Sequence, residues 1–465
     1  MENENRTKNL IKGTLIYAIG NFGSKILVFL IVPLYTFYIS TEDMGNYDLL
    51  MTTINLLTPI VTMQISDAAF RWMVRRDEGN EIYIRSTLQV LFINSIIAAL
   101  TITIINILFP FNYAWYFIAV LISSRALATV QKLLRGLKNQ KLFALSGLVY
   151  TVIFLTCNVV QICVLHKGVE CLFQGAIIAN ILTLLLVFIM EKRLRISYLI
   201  KPDFLVIKKL LRFSIPLVPN QLNWWVINSS DRYIIRFFLT ASANGIYSIA
   251  YKFPTMLQVI LSLFTTSWQD LAVSDKKKNS GLFYTIVFKQ LYMLSFSLLW
   301  MLMPATKIFI RLCMSESYQS AANYISFLYL GTVFQSFASF YGVGYLRDKK
   351  THQATMTSIY GALVNAVVNI MLIKYIGLQA ASISTFVGFL IMWLIREKQN
   401  KSELGVSIDK KLFGSLFGVT LILTVVECIT SIALDGVLFI IGGIMFLIIN
   451  RKTISKLIQS VKKRK

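Results

Sequence analysis

Basic side chains lie inside several long apolar segments of this sequence, where a helix would cross a membrane. A charged side chain at the middle of such a helix costs about 2.5–3.5 kcal/mol on insertion scales, so it normally faces a wet cavity or a partner. Few acidic residues lie equally deep, so the deep charge is net positive and favours an anionic ligand, above all phosphate or pyrophosphate. The predicted ligand-binding cations are Lys25, Arg125, Arg232, Arg236, Lys252 and Lys289.

Each of these cations also has a structural alternative. Lys25 and Arg125 could instead form an ion pair or bind backbone carbonyls within one group of helices. Arg232 and Arg236 lie toward the outer end of their helix, where an arginine can anchor to lipid headgroups, and Arg232 could pair with neighbouring Asp231. Both interpretations stay open at this point.

Two carboxylates, Asp67 and Glu427, are the candidates for coupling transport to an ion gradient. An exporter that selects cations would use deep carboxylates of this kind, together with sodium ions or protons. Most other acidic residues of the apolar segments lie near helix ends, where the charge can reach the headgroups at lower cost.

A third set of polar residues lies at the start of the predicted helix 213–239. Two prolines, Pro216 and Pro219, favour a bent or broken helix there. Amides donate and accept hydrogen bonds with sugar hydroxyls, and indoles offer flat apolar faces to sugar rings. Hydrogen bonding between helices and an interfacial aromatic belt are the equally strong alternative. The predicted sugar contacts are Asn220, Asn223, Trp224 and Asn228.

The sequence lacks the common signatures of catalysis. It contains no Walker A motif, dinucleotide fingerprint or nucleophile elbow. Its five cysteines have no zinc-site spacing, and its two histidines fall in predicted loops on opposite sides of the membrane. We therefore expect a protein that is not an enzyme and that has no catalytic residues, metal or cofactor.

The elements that must position these side chains are membrane helices. The 465 residues are 56% hydrophobic and 15% charged, with a mean hydropathy of +0.65, which places the chain in the integral membrane class. Apolar segments of about 20 residues, each long enough to cross a bilayer, recur along nearly the whole length. We predict helices at 12–39, 44–71, 86–109, 114–134, 142–165, 171–190, 213–239, 244–270, 281–307, 321–346, 353–374, 377–395, 412–433 and 436–450.

The distribution of basic residues predicts the topology. In a soluble chain the net charge of +24 would suggest a nucleic-acid partner, but here most Lys and Arg residues fall in alternate loops. This positive-inside pattern places both termini in the cytoplasm and makes the number of spans even. We predict fourteen spans, with twelve as the alternative, and no nucleic-acid partner.

A repeat predicts two parallel lobes of six helices around a central cavity. Gly45 and Tyr47 recur as Gly245 and Tyr247 between the seventh and eighth helices, an offset of 200 residues in both cases. The alternative is that any helical hairpin favours a glycine and an interfacial tyrosine. The predicted segments are an N-terminal lobe at 1–190, a basic cytoplasmic linker at 191–212, a C-terminal lobe at 213–395, and a helical hairpin with a basic tail at 396–465.

Short motifs in both lobes resemble a known family. They are Asn21-Phe-Gly-Ser-Lys25, Pro33-Leu-Tyr-Thr-Phe-Tyr-Ile-Ser40, Gly45-Asn-Tyr47, Ser230-Asp231-Arg232-Tyr233 and Gly245-Ile-Tyr247-Ser-Ile-Ala-Tyr251-Lys252. The sequence is similar in these motifs and in its helix layout to the polysaccharide transporters, the Wzx-type flippases. These proteins belong to the multidrug/oligosaccharidyl-lipid/polysaccharide exporter superfamily.

The resemblance implies a protein of the bacterial cytoplasmic (inner) membrane. It implies a substrate, an undecaprenyl-pyrophosphate-linked oligosaccharide, that is flipped to the outer leaflet by alternating access for O-antigen, capsule or exopolysaccharide assembly. Membrane lipid, a glycan polymerase and a chain-length regulator are the further partners it implies. Lys25, Asp231, Arg232 and Lys252 stand at positions typical of the family, whereas Arg125 and Lys289 match none of its motifs.

Two other functions stay open from the sequence. One is an ion-coupled antiporter for drugs or metabolites from the same superfamily, which would depend on Asp67 and Glu427. The other is a membrane enzyme of the same glycan pathway, against which the short external loops argue.

Overall fold

The protein is helical throughout the part of the chain that the structure describes. The computed structural model describes residues 29–74, 79–197, 201–274, 281–347, 350–427 and 432–462, and every regular element in these ranges is a helix. Lys25 and most of the predicted first helix lie outside the described residues. The prediction of an all-α fold is confirmed.

Many of these helices suit a membrane. Eight described helices are long and apolar enough to span one, and a ninth span is counted when a bent pair of helices is taken together. The chain is therefore a multi-pass membrane protein. The span number of fourteen, or alternatively twelve, stays a prediction.

The chain forms two compact units. The first unit contains Met1–Ile39 and Tyr47–Trp225, and the second contains Ser40–Asn46 and Val226–Lys465. The sequence-based segment boundaries at 190, 212 and 395 stay predictions.

Ten helices contribute to the described part of the first unit. They are α1 (Val32–Tyr38), α2 (Thr41–Thr62), α3 (Ile65–Met73), α4 (Glu81–Leu108), α5 (Ala114–Gly136), α6 (Gln140–Cys163), α7 (Glu170–Met190), α8 (Lys192–Ser197), α9 (Phe204–Ser214) and the start of α10 (Val218–Phe238). Fully buried Ile84 and Leu133 belong to an apolar cluster that joins α3, α4, α5 and α9. A second cluster, around Ile54, Leu121 and Phe173, joins α2, α5 and α7.

The sequence predicted one helix over 44–71, and this prediction is wrong. The chain bends by 58° between α2 and α3. Met63 and Gln64 adopt φ values of +46° and +51°, which end α2. Pro59 lies one turn earlier, where its ring removes a backbone donor and weakens the helix. The break places Gln64 beside the last turns of α2.

The remaining helices form the second unit. They are the rest of α10, α11 (Ala241–Ser274), α12 (Gly281–Cys313), α13 (Ile325–Arg347), α14 (Thr351–Ile376), α15 (Leu378–Leu404), α16 (Lys410–Val426) and α17 (Ile432–Lys462). An aromatic cluster that includes Phe296, Phe334, Phe337 and Phe413 joins α12, α13 and α16, with ring centroids 5.4–6.1 Å apart in adjacent pairs. Edge-on and tilted rings thus form a large part of the core of this unit.

The C-terminal hairpin of α16 and α17 packs closely on α12. The Trp300 indole donates to the Thr420 hydroxyl at 2.8 Å, and the Asn450 amide donates to the Ser297 hydroxyl at 2.8 Å. Gly442 lets the backbones approach, because a Cβ there would lie 2.3 Å from the carbonyl oxygen of Trp300. The hairpin is therefore an integral part of the second unit.

The two copies of the predicted repeat pack against each other within the second unit, which includes residues 40–46. A Cβ on Gly45 would lie 1.8 Å from the carbonyl oxygen of Ala241, and one on Gly245 would lie 1.9 Å from that of Thr41. The Asn244 amide donates to the carbonyl of Gly45 at 2.9 Å. The two glycines thus allow a backbone contact that any larger residue would prevent.

Candidate anion-binding site

Arg125 lies near the middle of α5, and two hydroxyls hold its guanidinium. Nη1 donates to Oγ1 of Thr58 at 2.7 Å, and Nε donates to Oγ of Ser124 at 3.3 Å. Within the described ranges no carboxylate forms an ion pair with this side chain. A fixed guanidinium without a protein counter-ion can bind an oxyanion through its remaining N–H groups.

Thr58 suits this role because of its place on α2. Its hydroxyl donates to the carbonyl of Ile54 at 2.7 Å, so its oxygen lone pairs are left to accept from Arg125. Threonine in a helix commonly makes this bond to the preceding turn. The α2 backbone therefore fixes the hydroxyl, and the hydroxyl fixes the arginine.

Arg125 and Thr58 line a cavity of about 250 Å³ within the first unit. The wall contains three amides, two indoles, one proline and one hydroxyl besides the guanidinium. The Trp225 indole donates to the carbonyl of Thr52 at 2.9 Å, which fixes that ring. The lining residues are Asn55, Thr58, Pro59, Gln64, Arg125, Gln221, Trp224 and Trp225.

This arrangement can hold an anion next to a polar, ring-shaped group. The guanidinium supplies the positive charge, the amides supply donors and acceptors, and the indoles supply apolar faces. The pattern is that of a small-molecule site, with a few fixed polar groups among apolar walls.

The structure brings together two of the residues predicted from the sequence, Arg125 and Trp224. Among the other predicted sugar contacts, Asn220 is exposed, Asn223 is half-buried, and neither lines this cavity. Asn228 belongs to the second unit, where its Oδ1 accepts from the Gln335 amide at 3.2 Å.

Four polar residues of the cavity were not predicted. Gln221 has the same amide chemistry as Asn220 and differs only in the face of α10 on which it lies. Asn55 and Thr58 lie on the last turns of α2, and Gln64 lies at the break that follows this helix. Pro59 is the sequence feature that could have indicated the break.

Asp67, a predicted coupling carboxylate, pairs with a lysine that sequence analysis did not single out. Nζ of Lys132 lies 2.5 Å from Oδ1 of Asp67, and the two side chains are 31% and 32% exposed. The second oxygen of Asp67 has no hydrogen-bond partner. The pair carries no net charge, because Lys132 balances the carboxylate.

Arg232 shows the alternative pairing that the sequence left open. Its Nη1 lies 3.0 Å from Oδ1 of Asp231 and donates to the carbonyl of Asn228 at 3.1 Å. The Tyr247 hydroxyl donates to the other oxygen of Asp231, and the guanidinium carbon lies 4.5 Å from the Tyr251 ring centroid. Asp231 and Arg232 are both buried, so they form a compensated pair inside the second unit.

The other predicted cations of the second unit differ in exposure. Arg236 is exposed, and Lys252 is half-buried. Lys289 lies 3.5 Å from Asp409, and both side chains are nearly half exposed, at 44% and 47%. The pKa of Asp409 is lowered, first because the backbone N–H of Leu412 donates to it and also because of the Lys289 ammonium group.

Glu427, the second predicted coupling carboxylate, belongs to a buried network of four charges. Lys307 lies 3.2 Å from Oε2 of Glu427 and 3.4 Å from Oδ1 of Asp435, and Arg311 lies 3.1 Å from Oδ2 of Asp435. The Lys307 side chain is 0% exposed. The network joins α12 to the end of α16, at Glu427, and to the start of α17, at Asp435, and the four charges balance.

A further buried cation, Arg396, was also missed. Its guanidinium donates at 3.0 Å to the Thr357 hydroxyl, the Ser358 hydroxyl and the carbonyl of Ala338. The sequence predicted that the helix would end at 395, but α15 continues to Leu404 and keeps Arg396 inside the bundle. These bonds join three helices and satisfy the guanidinium within the unit.

Comparison with known proteins gave a family match for the sequence and fold matches for the structure. The family model described as polysaccharide biosynthesis protein matches residues 10–268. A search of curated proteins found no match.

Three solved structures illustrate the fold. The lipid II flippase MurJ, in an inward closed conformation, has 15% sequence identity and a TM-score of 0.67, with 96% of this chain and 100% of that chain covered. An inward-facing multidrug resistance MATE family transporter of the MOP superfamily has 14% identity and a TM-score of 0.66, covering 82% and 94%. A variant of the Vibrio cholerae MATE transporter VcmN has 15% identity and a TM-score of 0.56, covering 85% and 97%. The fold of this chain is therefore like that of MOP-superfamily transporters.

Proposed function

The chain belongs to the polysaccharide biosynthesis protein family, and on this premise we propose that it is a flippase for lipid-linked oligosaccharides. Its substrate is an undecaprenyl-pyrophosphate-linked repeat unit, moved from the cytoplasmic to the outer leaflet by alternating access. The product serves the assembly of a surface polysaccharide. The protein resides in a bacterial cytoplasmic membrane with both termini in the cytoplasm, and a polymerase and a chain-length regulator act with it.

The observation that carries this proposal is the Arg125 cavity. A guanidinium on a membrane helix is held by hydroxyls rather than by a carboxylate, and it lies with amides and indoles in one wall. A pyrophosphate joined to a sugar has both the charge and the ring that these groups bind. Arg125 binds the pyrophosphate, and Trp224, Gln221 and Asn55 contact the adjoining sugar.

The energetics of moving an anionic substrate outward favour a basic site over an acidic one. Moving an anion outward across an inside-negative membrane is favourable by about 2.3 kcal/mol per charge per 100 mV. A cation in the cavity lowers the cost of taking the anion out of water without adding a coupling ion. Lys25, Arg236, Lys252 and Lys289 are proposed as further contacts along the path.

The ion-coupled antiporter is the weaker alternative. Each of its two candidate carboxylates lies beside a lysine of the same unit. Asp67 lies beside Lys132, and Glu427 lies beside Lys307. A carboxylate balanced by a protein cation has less affinity for a second cation than a free one. Export of an organic cation that depends on Asp67 or Glu427 would favour this alternative.

Complementation tests the proposal in cells. A strain that lacks its own flippase for the cognate glycan should regain surface glycan with the wild-type protein and lose it with Arg125→Gln, at equal membrane abundance. Arg195→Gln is the matched control, because Arg195 is exposed on α8 and the chemical change is the same. Full restoration by Arg125→Gln would overturn the assignment of the site, and drug export without glycan restoration would overturn the function.

A further inference from the structure

The second unit contains an uncharged polar cavity that neither the family nor the proposed function assigns. It lies between α11 and α13 and has a volume of about 90 Å³. Five of its eight lining residues carry hydroxyls, two carry amides, and one is a leucine. Such a density of polar groups between two packed helices needs a ligand or water to satisfy it.

A chain of amides fixes one wall of this cavity. Nε2 of Gln258 donates to Oε1 of Gln335 at 2.9 Å, and Nε2 of Gln335 donates to Oδ1 of Asn228 at 3.2 Å. Each side-chain amide has two N–H groups and an oxygen with two lone pairs. The chain therefore holds the two glutamines in place while leaving hydrogen-bonding capacity for a ligand.

Most of the hydroxyls donate to their own helix. Thr332 donates to the carbonyl of Leu328 at 3.1 Å, and Ser339 donates to that of Gln335 at 2.9 Å. A hydroxyl whose hydrogen is used in this way still has lone pairs to accept a hydrogen bond. These residues therefore present acceptors to the cavity.

Ser336 differs from the other hydroxyl residues. Its side chain lines the cavity and is 4% exposed, yet its oxygen has no hydrogen-bond partner in the part of the chain that the structure describes. A buried hydroxyl without a partner is unfavourable, so an occupant that bonds to it would be bound more tightly.

The chemistry of the wall defines its ligand. None of the described lining residues is charged, so among them a phosphate, a carboxylate or an ammonium group would lack a counter-ion. Sugar hydroxyls donate and accept at once, which matches acceptor hydroxyls beside amides. At about 30 Å³ per water molecule, the volume takes roughly three waters, or the hydroxyl-bearing edge of one sugar ring.

We propose that this cavity binds the edge of an uncharged sugar through Gln335, Gln258 and Ser336. The proposal rests on the proposed function, because the sugar is part of the lipid-linked oligosaccharide. It assigns a sugar of that oligosaccharide to a cavity of the second unit. The cavity makes the protein select repeat units that carry an uncharged sugar.

Binding of two probes to the purified full-length protein in nanodiscs tests the proposal. Both probes are undecaprenyl diphosphate lipids: one carries a single N-acetylglucosamine, which the proposed function assigns to the Arg125 cavity, and the other carries a second N-acetylglucosamine beyond it. The wild-type protein should bind the two-sugar probe about tenfold more tightly, as expected for one or two net hydrogen bonds. Gln335→Met should remove most of this preference and leave the affinity for the one-sugar probe unchanged.

Two further variants complete the experiment. Gln131→Met is the matched control, because Gln131 lies in the first unit and loses a single hydrogen bond, to Ser146. Ser336→Ala is the smaller change and should reduce the preference about threefold. If Gln335→Met binds neither probe, the preference measured for Ser336→Ala tests whether the cavity binds the sugar.

The outcomes separate the inference from the function. If the wild-type protein binds both probes equally, or if both cavity variants keep its preference, the cavity holds only water and the inference is overturned while the function stands. Binding of neither probe by the wild-type protein would overturn both.

Discussion

Nη1 of Arg125 donates to the Thr58 hydroxyl at 2.7 Å. This bond joins a cation at the middle of α5 to the residue of α2 that precedes Pro59. The guanidinium is therefore positioned before any ligand arrives. A positioned cation binds an anion more tightly than a mobile one, because less side-chain entropy is lost on binding.

Thr58→Val tests this positioning directly. Valine keeps the shape of threonine but cannot accept from Arg125, so the affinity for undecaprenyl diphosphate should fall about three- to tenfold. Thr53→Val is the matched control, since Thr53 lies on the same helix and makes the same bond to the preceding turn, at 2.8 Å to Leu49. If both variants lose the same affinity, Thr58 affects binding through the structure of α2 and not through its bond to Arg125.

Gly45→Ala should destabilise the protein. Its Cβ would lie 1.8 Å from the carbonyl oxygen of Ala241, so two backbones must separate, at a cost of about 1–3 kcal/mol or more. Gly147→Ala should be neutral or slightly stabilising, because no atom lies within 4 Å of its added Cβ and the position is helical. Thermal unfolding in detergent compares the two, and a Gly45→Ala midpoint equal to that of wild type would contradict the close backbone contact.

Lys307→Met should be among the most destabilising charge removals in the described chain. Glu427 would lose its ion pair with Lys307, Asp435 would lose one of its two described cationic partners, and an uncompensated buried charge costs about 3–5 kcal/mol. Lys289→Met removes a pair whose side chains are 44% and 47% exposed and should cost much less, because water screens exposed charges. A similar fall in unfolding temperature for both variants would argue against a buried network.

The Asp409 carboxylate should contribute stability that depends on pH. Its pKa is lowered in the folded protein, so the contribution is present above the ordinary aspartate pKa of about 3.9 and is lost as pH falls through the lower folded value. Asp409→Asn keeps a residue able to cap α16 and removes only the charge. Its unfolding temperature should be below that of wild type at pH 7, and this difference should shrink progressively as the pH falls below about 3.9. A difference that does not change with pH would contradict the lowered pKa of Asp409.

The sequence predicted the membrane fold and the central cation of the site for physical reasons. Apolar segments of sufficient length and a cation within one of them are local features, and Arg125 needed no knowledge of its neighbours. The cavity wall was harder to predict. Gln221 and Asn220 are adjacent amides, and only the packing of α10 determines which of them faces Arg125.

The missed charges have a different cause, which is helix length. The predicted helices 281–307 and 377–395 place Lys307 at the last position of one helix and Arg396 just beyond the other, so the sequence offered no reason to treat either as buried. The helices α12 and α15 instead continue to Cys313 and Leu404, and both cations are buried. Their partners are up to 128 residues away in sequence, a separation that no local pattern reveals.

The most direct test of the central claim is translocation by the purified protein in vesicles. Undecaprenyl diphosphate carrying N-acetylglucosamine is placed in both leaflets, and an impermeant enzyme that acts on the sugar reports how fast the inner pool becomes accessible. The wild-type protein and Arg195→Gln should expose the inner pool at equal rates, whereas Arg125→Gln should slow its exposure at least about tenfold, the loss expected for one charge-assisted contact. Exposure by Arg125→Gln at the wild-type rate would contradict the claim that Arg125 binds the translocated anion.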